Sequence, residues 1–300
     1  MIKIANAPCS WGVLEFEDKG SSPEYQQVLD EIAATGYVGT ELGDWGFMPT
    51  GPEQLQAELR GRDLGMVGAF VTTRLVDSRS YGASRDRAVA TARLLAAVAA
   101  ATPPVIVLSD EPTADPHRAQ AAGRVTPNLS LPAEWWPEAG DGINQIARAV
   151  RDETGLRTVF HHHCATFVET PQEIDALVQA TDPALVGLCL DTGHATYGGG
   201  APLDLLERYR DRIWHVHFKD CEPGVAERAR QGEWDYQTAL RHGLFCELGK
   251  GVVDFAAVLR ELERSGYDGW IVVEQDVLPG MGAPADSARR NRRYLREIGI

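Results

Sequence analysis

Phe160-His161-His162-His163, Leu188-Cys189-Leu190-Asp191-Thr192-Gly193-His194, His215-Val216-His217-Phe218-Lys219-Asp220 and Val272-Val273-Glu274-Gln275-Asp276 decide how this chain reads. Each stretch closes an apolar run of strand length. Each also ends in imidazoles or carboxylates, which are costly inside a protein unless paired, hydrogen-bonded or bound to a metal. Four such strand ends in succession describe one site at one end of a sheet.

Strand-like and helix-like runs alternate on both sides of these stretches. Strands are expected over 2–9, 37–42, 66–73, 105–109, 156–163, 185–191, 213–219 and 270–275. Helices are expected over 23–35, 52–64, 84–100, 139–154, 171–180, 203–209, 254–265 and 284–297, with an irregular segment after the fourth strand to about residue 131. Proline in the first turn and Gly36 after the last one punctuate the first helix, and Asp254 is placed to cap the seventh. Eight strand–helix units without a Pro/Gly-rich linker predict an α/β fold, a (β/α)8 TIM barrel, as a single domain over residues 1–300. The competing open sheet announces its dinucleotide-binding form with a glycine-rich first turn, and Ala7-Pro8-Cys9-Ser10-Trp11-Gly12 lacks it. Two long connections, 110–133 and 221–253, leave carboxyl ends of strands and are expected to roof the catalytic face.

Composition narrows the partners. A net charge of −14 counts against nucleic acid or an acidic membrane surface, because phosphate binding needs a basic stripe. It is compatible with an acidic patch around a cation. No signal-peptide layout is read at the start, and no stretch is apolar for long enough to predict a membrane span. Cys9, Cys164, Cys189, Cys221 and Cys246 form an odd set without a C-x-x-C pair, which reads as free thiols in a reducing cytoplasm.

Alternate residues of a strand share a face. His161 therefore goes with His163, and His162 faces the other layer. His215, His217 and Lys219 share a face, as do Val272, Glu274 and Asp276. With Asp191, His217 and Glu274 turned into the barrel mouth, three adjacent strands supply one ligand each, and His161 supplies a fourth. Two carboxylates and two imidazoles suit a divalent metal such as Mn²⁺, Co²⁺ or Zn²⁺, with positions left open for water or substrate. Taken singly, each residue has a bland role: Asp191 as a helix cap, His162 as a structural histidine, Lys219 as a salt-bridge partner. Their recurrence at the same end of successive strands is what points to a site.

Asp191-Thr192-Gly193-His194, His215-Val216-His217, and Gly249-Lys250-Gly251-Val252-Val253-Asp254-Phe255 ahead of Glu274 resemble the xylose-isomerase-like superfamily of sugar isomerases and epimerases. Six segments, 6–12, 39–43, 161–163, 245–255, 273–276 and 287–295, sharpen the resemblance to the inosose dehydratases, which act on 2-keto-myo-inositol. The resemblance implies a keto-polyol substrate, chelated by a divalent metal, Mn²⁺ or Co²⁺ first and Zn²⁺ after them. It also implies an enediolate formed when the neighbouring carbon loses its proton. The sugar epimerases carry a glutamate where His161 stands here, so that two carboxylates work on opposite faces of one carbon. An elimination needs one base and one acid instead, and the replacement leans that way. Glu274 is then the ligand that doubles as base, with His163 or Lys219 as the acid. His194 and Glu41 are expected to hold substrate hydroxyls, and Asn6 and Trp11 to form the pocket floor and wall. A keto-sugar isomerase or epimerase is the alternative on the same metal site. A phosphodiesterase on this barrel would need more metal ligands and a basic groove. Barrels of this kind often pair, so a homo-oligomer is compatible with the reading.

Overall fold

The computed structural model describes residues 2–13, 23–278 and 280–300. Strands β1 (Lys3–Asn6), β2 (Gly39–Glu41), β3 (Gly65–Thr73), β4 (Val105–Asp110), β5 (Arg157–His161), β6 (Val186–Asp191), β7 (Ile213–Phe218) and, after a short antiparallel pair β8 (Asp220–Cys221) and β9 (Phe245–Cys246), β10 (Trp270–Val273) are the extended elements. The eight long-sheet strands close into a barrel in the order β1-β10-β7-β6-β5-β4-β3-β2, every pairing parallel. Helices α1 (Tyr25–Thr35), α2 (Pro52–Arg60), α3 (Tyr81–Ala97), α4 (Pro116–Ala121), α5 (Trp136–Thr154), α6 (Pro171–Ala180), α7 (Thr192–Tyr197), α8 (Pro202–Arg208), α9 (Pro223–Gln231), α10 (Tyr236–Arg241), α11 (Phe255–Arg264) and α12 (Pro284–Glu297) follow in chain order. The expected (β/α)8 barrel is the fold. One large apolar core lies between the barrel and its helices, with Leu29, Ile32, Leu95, Ile146, Phe218 and Phe255 fully buried in it.

Element ends moved where local hydrogen bonding overrides apolar runs. The first strand stops at Asn6 rather than residue 9, because Pro8 has no amide to donate and opens a 3-10 turn, Pro8–Trp11, that Gly12 closes at φ 77°. The fifth stops at His161, and the chain folds back so that the His163 amide donates to the Val168 carbonyl at 2.9 Å. Helix α3 begins one turn earlier than its apolar pattern, behind a turn in which Asp77 accepts from the Arg79 amide. Asp254 caps α11 as expected, accepting from the Ala257 amide.

Both long connections cover the carboxyl end of the barrel, and each contains short helices that the apolar pattern did not reveal. Asp115 caps α4, Glu222 caps α9 and Asp235 caps α10. The two connections are tied to each other. Arg124 donates to the carbonyls of Ala229 (3.2 Å) and Trp234 (3.0 Å), and Arg230 donates to that of Gly123 (3.2 Å). Beneath these bonds Ala122, Cys164, Tyr197, Val225, Tyr236 and Phe245 form an apolar cluster apart from the main core. Arg118 and Glu173, both almost fully buried, meet in a two-pronged ion pair of 2.7 and 2.9 Å that anchors α4 on α6.

Asp220 organises the turn into α11. Its carboxylate accepts from the amides of Cys221, Gly249 and Gly251, each at 2.9 Å, and Val253 at 3.1 Å. A Cβ on Gly251 would stand 2.3 Å from both Asp220 Oδ1 and the Cys221 carbonyl, so only glycine lets the backbone come this close. The Gly249-Lys250-Gly251 segment is therefore a turn gathered around the Asp220 carboxylate.

Candidate active site

The Asp191-Thr192-Gly193 triplet shows how the sequence builds the barrel mouth. Asp191 caps α7 with Oδ1, which accepts from the His194 amide at 2.8 Å, and this turns Oδ2 toward the barrel axis. Thr192 Oγ1 donates to the Lys219 carbonyl at 2.7 Å and accepts from the Lys219 amide at 2.9 Å, fixing the end of β7. Gly193 leaves room for the Lys219 stem, whose Cγ would lie 2.6 Å from any Cβ there. Asp191 thus starts the helix, while Thr192 and Gly193 position Lys219 at the end of the next strand.

Asp191, His217 and Glu274 converge, one donor atom from each lying within 4.8 Å of the others. His217 Nδ1 is 3.2 Å from Glu274 Oε1 and 3.8 Å from Asp191 Oδ2, and His161 Nε2 is 3.5 Å from the same Asp191 oxygen. All four side chains are buried. Three of these atoms, His161 Nε2, Asp191 Oδ2 and His217 Nδ1, are buried without a hydrogen-bond partner among the described residues. Buried polar atoms seldom remain unpaired. Three facing one another, from two imidazoles and a carboxylate, fit a divalent cation.

Burial alone would raise the carboxyls here, but neighbouring cations overturn it. His217 and then Lys219 hold Glu274 well below the usual carboxylate range against its burial. Lys219 and His161 also lower Asp191, against its burial. Burial disfavours the Lys219 ammonium, yet Asp276, Glu274 and Asp191 outweigh it and raise Lys219 well above the ordinary lysine value. Its Nζ sits 3.0 Å from Glu274 Oε2 and 3.2 Å from Asp276 Oδ1. Asp276 itself is raised, mainly by burial, with Lys219 opposing. Burial, with His161 and Lys219 beside it, holds His163 well below the usual histidine range.

A cleft of about 670 Å³ opens over this group. His161, His163, His217, Lys219, Glu274 and Asp276 supply its polar lining, and Pro8, Cys9, Val13, Phe70 and Pro112 much of the rest. Glu41 also lines it, although its Oε1 is already engaged by two imidazoles.

Two expected pocket residues lie elsewhere. The turn at Pro8 aims Cys9 inward and Trp11 away, so the Trp11 indole packs in the main core and donates to Glu31 Oε2 on α1 at 2.6 Å. Asn6 folds back onto its own strand end, its Oδ1 accepting from the Ala7 amide at 2.9 Å. Neither lines the cleft. His194 is one layer behind His163, ring centroids 3.8 Å apart, and its Nδ1 accepts from the Cys164 amide at 3.2 Å. His162 faces the helix layer among Ile174, Leu188 and Leu190, with Nε2 accepting from the Asp191 amide at 3.3 Å. Asp276, Cys9 and Phe70 line the cleft although sequence reasoning gave them no role. Strand alternation with Glu274 could have found Asp276, whereas nothing in the local pattern marks the other two.

A closed parallel barrel with imidazoles and carboxylates gathered at its mouth defines a class of enzyme folds. The chain belongs to the xylose isomerase-like TIM barrel family, whose sequence model matches residues 29–298. Within that class it belongs with the inosose dehydratases. It is 33% identical to an inosose dehydratase of Geobacillus kaustophilus over 99% of this chain and 94% of the relative. An inosose dehydratase of Clostridium beijerinckii is 31% identical over 99% of this chain and 97% of the relative. Among solved structures, a probable 3-DHS dehydratase of Bacillus anthracis superposes with a TM-score of 0.69 at 14% identity, covering 99% of both chains. A 3-keto-D-glucoside 4-epimerase of E. coli does so with 0.67 at 16% identity, over 99% of this chain and 100% of the other. At those identities the two structures speak for the fold alone.

Proposed function

We propose that the chain is a metal-dependent dehydratase that removes water from 2-keto-myo-inositol or a closely related cyclic keto-polyol. The similarity to inosose dehydratases over nearly the full chain supports the substrate class. The single observation that carries the site is the convergence of the unpartnered His161, Asp191 and His217 atoms beside a cleft that His161, His217 and Glu274 line. In this reading His161, Asp191, His217 and Glu274 hold Mn²⁺ or Co²⁺, with Zn²⁺ as the third choice. Such a cation supplies Lewis-acid stabilisation of negative charge on a carbonyl oxygen.

The protein's own groups supply the proton transfers. Elimination takes a proton from the carbon next to the ketone, breaks the C–O bond one carbon further on, and protonates the departing hydroxyl so that it leaves as water. Glu274 is the base. Lys219, charged and on the cleft wall, is the acid. His163 is better arranged to accept than to give, because its Nδ1 donates to the Cys164 carbonyl at 2.6 Å and a neutral ring then presents a bare Nε2. The apolar wall of Pro8, Val13, Phe70 and Pro112 suits the C–H face of a cyclic polyol and keeps bulk water from the reacting carbons. The five cysteines are free thiols, in keeping with a cytoplasmic enzyme. No described helix is long and apolar enough to cross a membrane.

The test is an assay of metal-stripped protein on 2-keto-myo-inositol with and without Mn²⁺. The reading expects an ultraviolet-absorbing dione, or its enol, that forms only with metal. Recovery of an isomeric ketone without new absorbance would establish the epimerase alternative instead.

A further inference from the structure

We propose that Glu41 is a positioning residue that decides which nitrogen of His217 faces the cation site, an inference that rests on the metal-site reading above. Glu41 ends β2, and β7 lies beyond two intervening strands, β1 and β10. Closure of the barrel brings Glu41 Oε1 to 3.0 Å from His217 Nε2 and 2.8 Å from His215 Nε2. A carboxylate only accepts, so both Nε2 atoms carry hydrogen and donate to it. With Nε2–H pinned, the nitrogen of His217 directed at Asp191 Oδ2 and Glu274 Oε1 is Nδ1. Glu41 thus orients the ring and turns Nδ1 toward the site, where a cation would take the place of its proton. His215 holds the same oxygen from one layer further down the barrel, so Glu41 is itself fixed. Gly68 on β3 makes the space: a Cβ there would lie 3.2 Å from Glu41 Oε1. A carboxylate behind a ligating imidazole typically governs metal affinity by about 10–100-fold.

This role differs from contact with substrate, which Glu41 could also make from the cleft wall, and the two separate when no substrate is present. Metal-stripped wild type, Glu41→Ala and Glu41→Gln are titrated with Mn²⁺ alone, and free Mn²⁺ is read by electron paramagnetic resonance. The expected result is a Kd about 10–100-fold weaker in Glu41→Ala. Glu41→Gln, whose side-chain oxygen still accepts from Nε2–H, should fall between the two. On ¹⁵N-histidine protein loaded with Zn²⁺, His217 should show a protonated Nε2 and a metal-bound Nδ1. Glu41→Ala that binds Mn²⁺ like wild type, with only KM raised, overturns the inference and makes Glu41 a substrate contact. A metal-bound Nε2 in wild type overturns it whether or not the variants fold. Wild type that takes up no Mn²⁺ overturns the metal-site reading, and this inference with it.

Discussion

Asp191→Asn should strip the protein of its divalent metal and lower dehydratase turnover by about 10³-fold, the several kcal/mol that a Lewis acid contributes to such a reaction. The substitution is selective because the two carboxylate oxygens have separate jobs. Oδ1 caps α7 through the His194 amide, and an asparagine carbonyl can keep that bond. Oδ2, buried and without a hydrogen-bond partner, faces His161 and His217, and an amide nitrogen in its place cannot ligate. Metal analysis after dialysis, alongside circular dichroism, reads both parts. A variant with an intact fold, full metal content and wild-type turnover would take Asp191 out of the site.

Lys219→Met should reduce kcat by about 10²–10⁴-fold while KM moves far less, the range for loss of a positioned acid. Methionine fills the space beside the Phe245 ring, over which the Lys219 ammonium sits at 4.8 Å. What is lost is the charge and its protons. Glu274 and Asp276 are then left buried without their shared ammonium, and breaking such a pair costs about 3–5 kcal/mol. Thermal melts of the Mn²⁺-loaded protein should therefore fall together with kcat, while metal content stays near wild type. A kcat within threefold of wild type would move the acid to another residue.

The barrel was legible because its signals are local: short apolar runs, proline and glycine punctuation, and capping aspartates such as Asp254. The convergence of Asp191, His217 and Glu274 was legible because parallel strands in register carry alternate residues to one end. The roof was not, since α4, α9 and α10 are short, and their stability comes from caps and from contacts between distant connections. Trp11 and Asn6, expected at the pocket through the family resemblance, do not line the cleft because the chain leaves its strand at Asn6 and curls at Pro8. Glu41 was expected to hold a substrate hydroxyl. Its bond to His217, 176 residues away, arises only when β1 and β10 close the cylinder. Local pattern carries no information about which side chains meet across a closed ring.

Anomalous diffraction from crystals of the Mn²⁺-loaded protein tests the central claim most directly. The account predicts one strong peak at the barrel mouth, within bonding reach of His161, Asp191, His217 and Glu274, with His217 ligating through Nδ1. A fully loaded crystal with its peak elsewhere, or with those four side chains still turned to one another, would contradict it.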